Sequence, residues 1–308
     1  MGSTGNTRRI VALITAVVVL VLACAMGCEN EEAGRPGQEG DNAVDETIKG
    51  SPHLVSLACY VAAADYSARD EYDEALWYCS KGIILDPDWH RLFGLRADIY
   101  TWMDNHERAV ADLTRAIELD PDNAEYYHYR GACYWVLEKN GWAHNDLDKA
   151  IELEPDNMLH YQARADLNWA DGRSQDAIDD CNRILASQPL NGQAYSTRAA
   201  AYFDLYESEK AIDDASKAIM LGTASGFEYY IRGVSYYDIG EDEKALDDLN
   251  IACRLDSWDE YAFYFRGEVL LRLGRTDEAI ADFNKALELR PYYQDAKKAL
   301  KELGIEVD

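Results

Sequence analysis

Basic residues are scarce in this 308-residue chain: 30 lysines and arginines face 57 aspartates and glutamates, a formal charge of −27. A surface of that sign repels phosphate backbones, which argues against nucleic acid as a partner. It attracts basic proteins, basic peptides or divalent cations instead. Catalytic and cofactor motifs are missing as well. The chain has no glycine-rich phosphate loop, no HExxH and no CxxC, and its six histidines share no face. Neither a cofactor nor a metal ion is therefore expected, and an intrinsic enzyme is the remotest reading. The length accommodates two average domains or one extended array.

Long apolar runs are also absent, except at the start. Arg8 and Arg9 precede an apolar stretch from Ile10 to Ala23. A basic segment followed by an apolar core of this length reads as a signal peptide, and it is short for a membrane-spanning helix. The stretch ends VLACAMGC. That ending resembles the lipobox of bacterial lipoproteins, in which the cysteine is lipidated and becomes the new N-terminus. Val21-Leu22-Ala23 before Cys24 fits best, and Ala25-Met26-Gly27 before Cys28 is the second choice. The expectation is a signal peptide over 1–28 and export to a membrane-anchored position facing the periplasm or cell exterior. The alternatives are an ordinary secreted protein or a single-pass signal anchor. Residues 29–52 combine glycine, proline and many acids with few large apolar side chains. They cannot bury enough surface to offset chain entropy, so they are expected to form a disordered tether.

From there on the chain repeats. Ala63, Ala97, Gly131, Ala165, Ala199, Gly233 and Gly267 are each 34 residues apart, and twelve residues after each stands Ala75, Ala109, Ala143, Ala177, Ala211, Ala245 or Ala279. Near the end of each period stand Pro87, Pro121, Pro155, Pro189, Thr223, Ser257 and Pro291. Each period holds two amphipathic helical patterns separated by turn residues such as Gly172-Arg173-Ser174 and Gly240-Glu241-Asp242. The period and these positions resemble the tetratricopeptide repeat, with repeats starting at Ser56, His90, Ala124, Met158, Gly192, Gly226 and Glu260. The resemblance implies an all-α fold: an α-α superhelix, or solenoid, of seven 34-residue helix-turn-helix units over residues 53–304. The lysine-rich segment 294–303 is expected to be a capping helix. Repeat five replaces proline in the run GTASG, which makes Gly222–Gly226 the expected soft junction.

Numbering each repeat from its start exposes a charge pattern. Position 7 carries Arg96, Arg130, Arg164, Arg198, Arg232 and Arg266, and position 23 carries Asp112, Asp146, Asp180, Asp214, Asp248 and Asp282. Repeat one has Ala62 and Tyr78 there instead. Charges present together six times and absent together once read as structural ion pairs. In an antiparallel hairpin the two positions lie at nearly equal height, so a guanidinium can meet a carboxylate with two hydrogen bonds. The pairs are expected to set register more than to add stability. The functional alternative, an arginine ladder for an anion, is opposed by the matched aspartates.

The resemblance also implies a binding face, the concave side lined by positions 2, 5, 9, 12 and 13 of each first helix. Here those positions give an aromatic stripe, Trp135, Trp169, Phe203 and Tyr237 with Tyr230 and Tyr264, flanked by Asp98, Asp166, Asp204, Asp238 and Glu268. Such a face suits a protein or an extended peptide that carries basic residues. Part of each ring is expected to pack as core. Repeats that clamp a C-terminal carboxylate use lysine at position 5 and asparagine at position 9. Neither occurs here, and Arg272 is the sole base at position 13, so no such clamp is expected. The functional expectation is a lipid-anchored scaffold, with an accessory subunit that positions an envelope or cell-wall enzyme as the alternative. Cys59, Cys79 and Cys181 fall at core positions, and export would permit a Cys59–Cys79 disulfide.

Overall fold

A computed structural model describes residues 52–223, 225–256 and 259–306. The expected signal peptide, Cys24, Cys28 and the expected tether up to Ser51 lie outside the described residues. Among the described residues there are fifteen helices and no strand. None of the helices is long and apolar enough to cross a membrane.

The chain divides into two compact bodies, with the boundary between Pro155 and Asp156. The first holds α1 (Pro52–Ser67), α2 (Tyr72–Leu85), α3 (His90–Trp102), α4 (His106–Leu119), α5 (Ala124–Val136) and α6 (Asn140–Leu153). The second holds α7 (Met158–Ala170), α8 (Ser174–Ser187), α9 (Gly192–Asp204), α10 (Ser208–Met220), α11 (Gly226–Asp238), α12 (Asp242–Leu255), α13 (Glu260–Arg272), α14 (Thr276–Leu289) and α15 (Gln294–Glu302). Within each body, odd-numbered helices through α13 open a hairpin and the following helix closes it, so neighbouring helices pack in succession.

Close approach within a hairpin depends on the small residues at positions 8 and 20. The alanines there are fully buried in both bodies. At Gly131 an added Cβ would lie 3.2 Å from the carbonyl oxygen of Ala143, so even a methyl group is tight at that crossing. Each first helix ends the same way. The residue at position 15 is left-handed, and the amide that follows it donates back to position 11, as from Asn105 to Tyr100 and from Arg173 to Asn168. This is the six-to-one closure that lets a helix stop and reverse.

The second body finishes on α15. Ala296, Ala299 and Leu300 bury their side chains with Phe283 and Ala286 of α14, while the lysines stay outside. Hydrogen bonds lie on both flanks of the junction expected to be soft. Thr223 Oγ1 donates to Ala218 O at 2.8 Å, and Ser225 forms a capping box with Glu228 at the start of α11. Ser196 Oγ also donates to the buried Glu228 carboxylate at 2.5 Å. Hydrogen bonds from Ser196, Ser225 and backbone amides outweigh its burial and lower its pKa.

Candidate functional site

The arginines at position 7 turn out to be engaged structurally. Each pairs two-pronged with the aspartate of its own hairpin: Arg96 Nε and Nη2 reach Asp112 at 2.7 Å each, and Arg130 reaches Asp146 at 2.8 Å each. Arg164 meets Asp180 at 3.0 and 2.6 Å, and Arg198 meets Asp214 at 2.6 and 3.0 Å. Arg232–Asp248 and Arg266–Asp282 have the same form, all at 2.7–2.8 Å. A third prong, which the sequence pattern did not reveal, reaches back to position 25 of the preceding repeat. Arg96 donates to Ser80 Oγ, Arg130 to Thr114 Oγ1, Arg198 to Asn182 Oδ1, Arg232 to Ser216 Oγ and Arg266 to Asn250 Oδ1. One guanidinium therefore ties three helices. In repeat one, where the pair is missing, Tyr78 stacks on Tyr66 with ring centroids 5.3 Å apart.

The expected binding face differs between the two bodies. In the second, its residues largely serve one another. Trp169 is half-buried against Ala177, Ile178 and Ala201, its indole donates to Asp204, and its ring lies 5.6 Å from Phe227. Phe203 packs on Ile231 and lies 6.0 Å from Tyr230, which in turn contacts Phe265 at 6.1 Å. Tyr264 packs against Phe283 and Tyr293 at the capped end. Phe227 and Phe265, at positions 2 and 6, were missing from the stripe as read by spacing; Phe265 meets Tyr230 and Tyr237 of the adjacent first helix, and Phe227 meets Trp169 two first helices away.

Each carboxylate on this face of the second body has a partner. Asp166 accepts from Thr197 Oγ1 at 2.7 Å and Gln162 Nε2 at 2.9 Å. Burial still raises its pKa against those two bonds. Asp204 is raised by burial against hydrogen bonds from Trp169 and Ser174. Asp238 is likewise raised by burial, opposed by Ser208 and by the charge of Arg272. Glu268 is raised by burial and held down by the Tyr237 hydroxyl, which donates at 3.3 Å, and by Arg272. Arg272 lies over the Tyr237 ring, 3.3 Å from its centroid, and bonds Tyr237 O and Asp242. A cation between an aromatic face and carboxylates is thus built into this body from its own chain.

In the first body the face stays open. Trp135, at the end of α5, is 36% exposed, and Asp98 on α3 is exposed at the cleft mouth. Asp98 lines a cleft of about 250 Å³ with Tyr60 of α1 and Glu125, Tyr126 and Tyr129 of α5. The protein around Asp98, and after it the charge of Glu125, push its carboxyl up to about 6. Sequence spacing found Asp98 but not the tyrosines around it, which sit at positions 3, 5 and 6.

The five described cysteines are buried free thiols, Cys59 and Cys79 included. Burial raises the pKa of both Cys79 and Cys253 to about 12, which leaves no thiolate to act as a nucleophile. His144 is buried in α6.

The comparisons agree with this architecture. Sequence profiles described as tetratricopeptide repeat match residues 137–192 and 260–293, and one described as TPR repeat matches 97–137. The chain therefore carries tetratricopeptide repeats. A tetratricopeptide repeat protein from Parabacteroides merdae has a similar solved structure: TM-score 0.60, 17% identity, over 80% of this chain and 97% of that one. The anaphase-promoting-complex assembly Cut9–Hcn1 aligns with TM-score 0.60 and 14% identity over 87% of this chain and 60% of that one. PilW, a type IV pilus biogenesis factor, aligns with TM-score 0.59 and 18% identity over 68% and 96%. At these identities the likeness concerns the fold. No curated protein matches the chain.

Proposed function

We propose that this chain is an exported, lipid-anchored scaffold that binds a protein or extended peptide bearing basic residues along its first-helix face. The observation that carries the reading is chemical: rings and carboxylates alternate on that face in a chain of net charge −27. The self-made Arg272–Tyr237 contact illustrates which group such a face accepts. Repeat scaffolds work by presenting a preformed surface, so the role needs no reacting group of the chain's own. A photoreactive residue in place of Trp135 should capture a discrete partner in cells, whereas the same residue in place of the exposed Glu118 on α4 should not. Equal, diffuse capture from both positions would sink the reading. An accessory subunit of an envelope enzyme is the second form of the same proposal, and it predicts that the captured partner is an enzyme.

Anchoring through Cys24 rests on the lipobox resemblance alone. Cys24→Ser should release the chain from the membrane fraction and abolish incorporation of labelled fatty acid. If only Cys28→Ser does so, the second cysteine is the anchor.

A further inference from the structure

We propose that the cleft between α1, α3 and α5 receives a single lysine or arginine side chain of the bound partner. The inference rests on the peptide-binding reading above and gives it a specific residue class and place. The argument starts from the period. In repeats four and five, Gln162 and Thr197 both donate to Asp166. Two periods earlier the same three positions are Gly94, Tyr129 and Asp98. The glutamine side chain that fills the space in the second body is gone, and the hydroxyl that bonded the carboxylate is replaced by a phenol ring. What remains is a cleft, lined by all three of these residues, in which Asp98 receives no hydrogen bond or ion pair from the described residues.

Gly94 is held to this role by packing. A Cβ there would come within 2.8 Å of the Tyr126 ring, which forms part of the cleft wall and is itself fixed by a 2.7 Å hydrogen bond between its hydroxyl and His90. The wall is therefore set in place before any partner arrives. Arg91 also lines the cleft, so Asp98 and Glu125 together leave one negative charge uncompensated at neutral pH. Tyr60 and Tyr129 offer aromatic faces beside it. Carboxylate beside aromatic ring is the combination that Arg272 satisfies in the second body. An apolar side chain would leave Asp98 desolvated and unpaired, which selects against it.

Because Asp98 titrates near 6, binding of a cation should strengthen as pH rises from 5 to 7. The charged or titratable groups facing it are Glu125 and the Tyr126 and Tyr129 phenols from α5, Arg91 from its own helix and the Tyr60 phenol from α1. The probe is acetyl-lysine methylamide, with acetyl-norleucine methylamide as its uncharged match, added to the full chain with carbon-13-labelled aspartate carboxyls. The lysine probe should move the Asp98 resonance, lower its titration midpoint, and bind about tenfold more tightly than norleucine at pH 7. Asp98→Asn should erase that preference. Tyr129→Thr, which restores the hydroxyl that serves Asp166, should weaken it while the fold persists. Equal responses to both probes, or an unchanged lysine preference in Asp98→Asn, would overturn the pocket. Partner capture at Trp135 separates the two claims. Capture with no lysine response removes the pocket and keeps the scaffold, and a lysine response with no capture does the reverse.

Discussion

The two bodies build the same hairpins from the same period, yet treat the exposed side of their first helices in opposite ways. In the second body, Thr197, Gln162, Trp169, Ser208, Tyr237 and Arg272 serve its carboxylates. In the first, Asp98 stands in a cleft with no such donor. Repetition fixes where side chains go, but a change at two neighbouring positions decides whether a carboxylate is spent on structure or left for a ligand.

The largest effect tests what the bodies share. If the three-helix arginine tie is a common device, Arg130→Ala in the first body and Arg232→Ala in the second should cost the same. Each removes one partner of a mostly buried pair, for which about 3–5 kcal/mol is expected. Replacing both partners, as in Arg130→Met with Asp146→Leu, should recover most of the loss, because repeat one already manages with Ala62 and a Tyr66–Tyr78 stack. Denaturant midpoints of the single and double variants decide it. Simple additivity would show that the pair is not coupled.

The turns offer a smaller contrast. All seven left-handed residues at position 15 do the same job, but the first body uses Asp70, Asp104 and Glu138, while the second uses Gly172, Gly240, Gly274 and Tyr206. A side chain in that conformation costs about 1–2 kcal/mol relative to glycine. Glu138→Gly should therefore stabilise the first body by about 1 kcal/mol, and Gly172→Ala should destabilise the second by a similar amount. Thermal midpoints would show it. A loss of stability in Glu138→Gly would mean that the Glu138 side chain makes a compensating contact.

Much of this molecule was legible in its sequence because a repeat reports each packing rule seven times. Small residues at positions 8 and 20 showed which backbones touch, and the joint loss of Arg and Asp in repeat one showed that they are partners. The third prong of Arg96, Arg130, Arg198, Arg232 and Arg266 was not legible, since its partners at position 25 are Ser80, Thr114, Asn182, Ser216 and Asn250, united only by a shared ability to accept a hydrogen bond. Nor was the cleft. Its walls come from Tyr60 of repeat one and Tyr126 and Tyr129 of repeat three, which stand at three different positions. Periodicity averages away the irregularities from which a specific site is made. The change from Gln and Thr around Asp166 to Gly and Tyr around Asp98 could have been noticed, but its meaning depends on knowing that those three side chains converge.

The finest test concerns Asp98 itself. Its carboxyl sits at about 6 in the folded chain against an ordinary 3.8. A group raised on folding binds more protons in the folded state between those two values, so stability falls as pH rises from about 4 to about 6 and stays lower above. Solvent contact at Asp98 screens the effect, which leaves about 0.5–1 kcal/mol. Asp98→Asn keeps the shape and removes the charge. The variant should match the parent at pH 4 and exceed it at pH 7 by that amount in urea unfolding. The same change at Asp180, whose carboxylate is held by Arg164 and Asn168, should destabilise the second body at pH 7. Opposite signs from one substitution would mark one carboxylate as poised for a cation and the other as already holding its own. If Asp98→Asn also destabilises, Asp98 has a structural partner and the contrast between the bodies collapses.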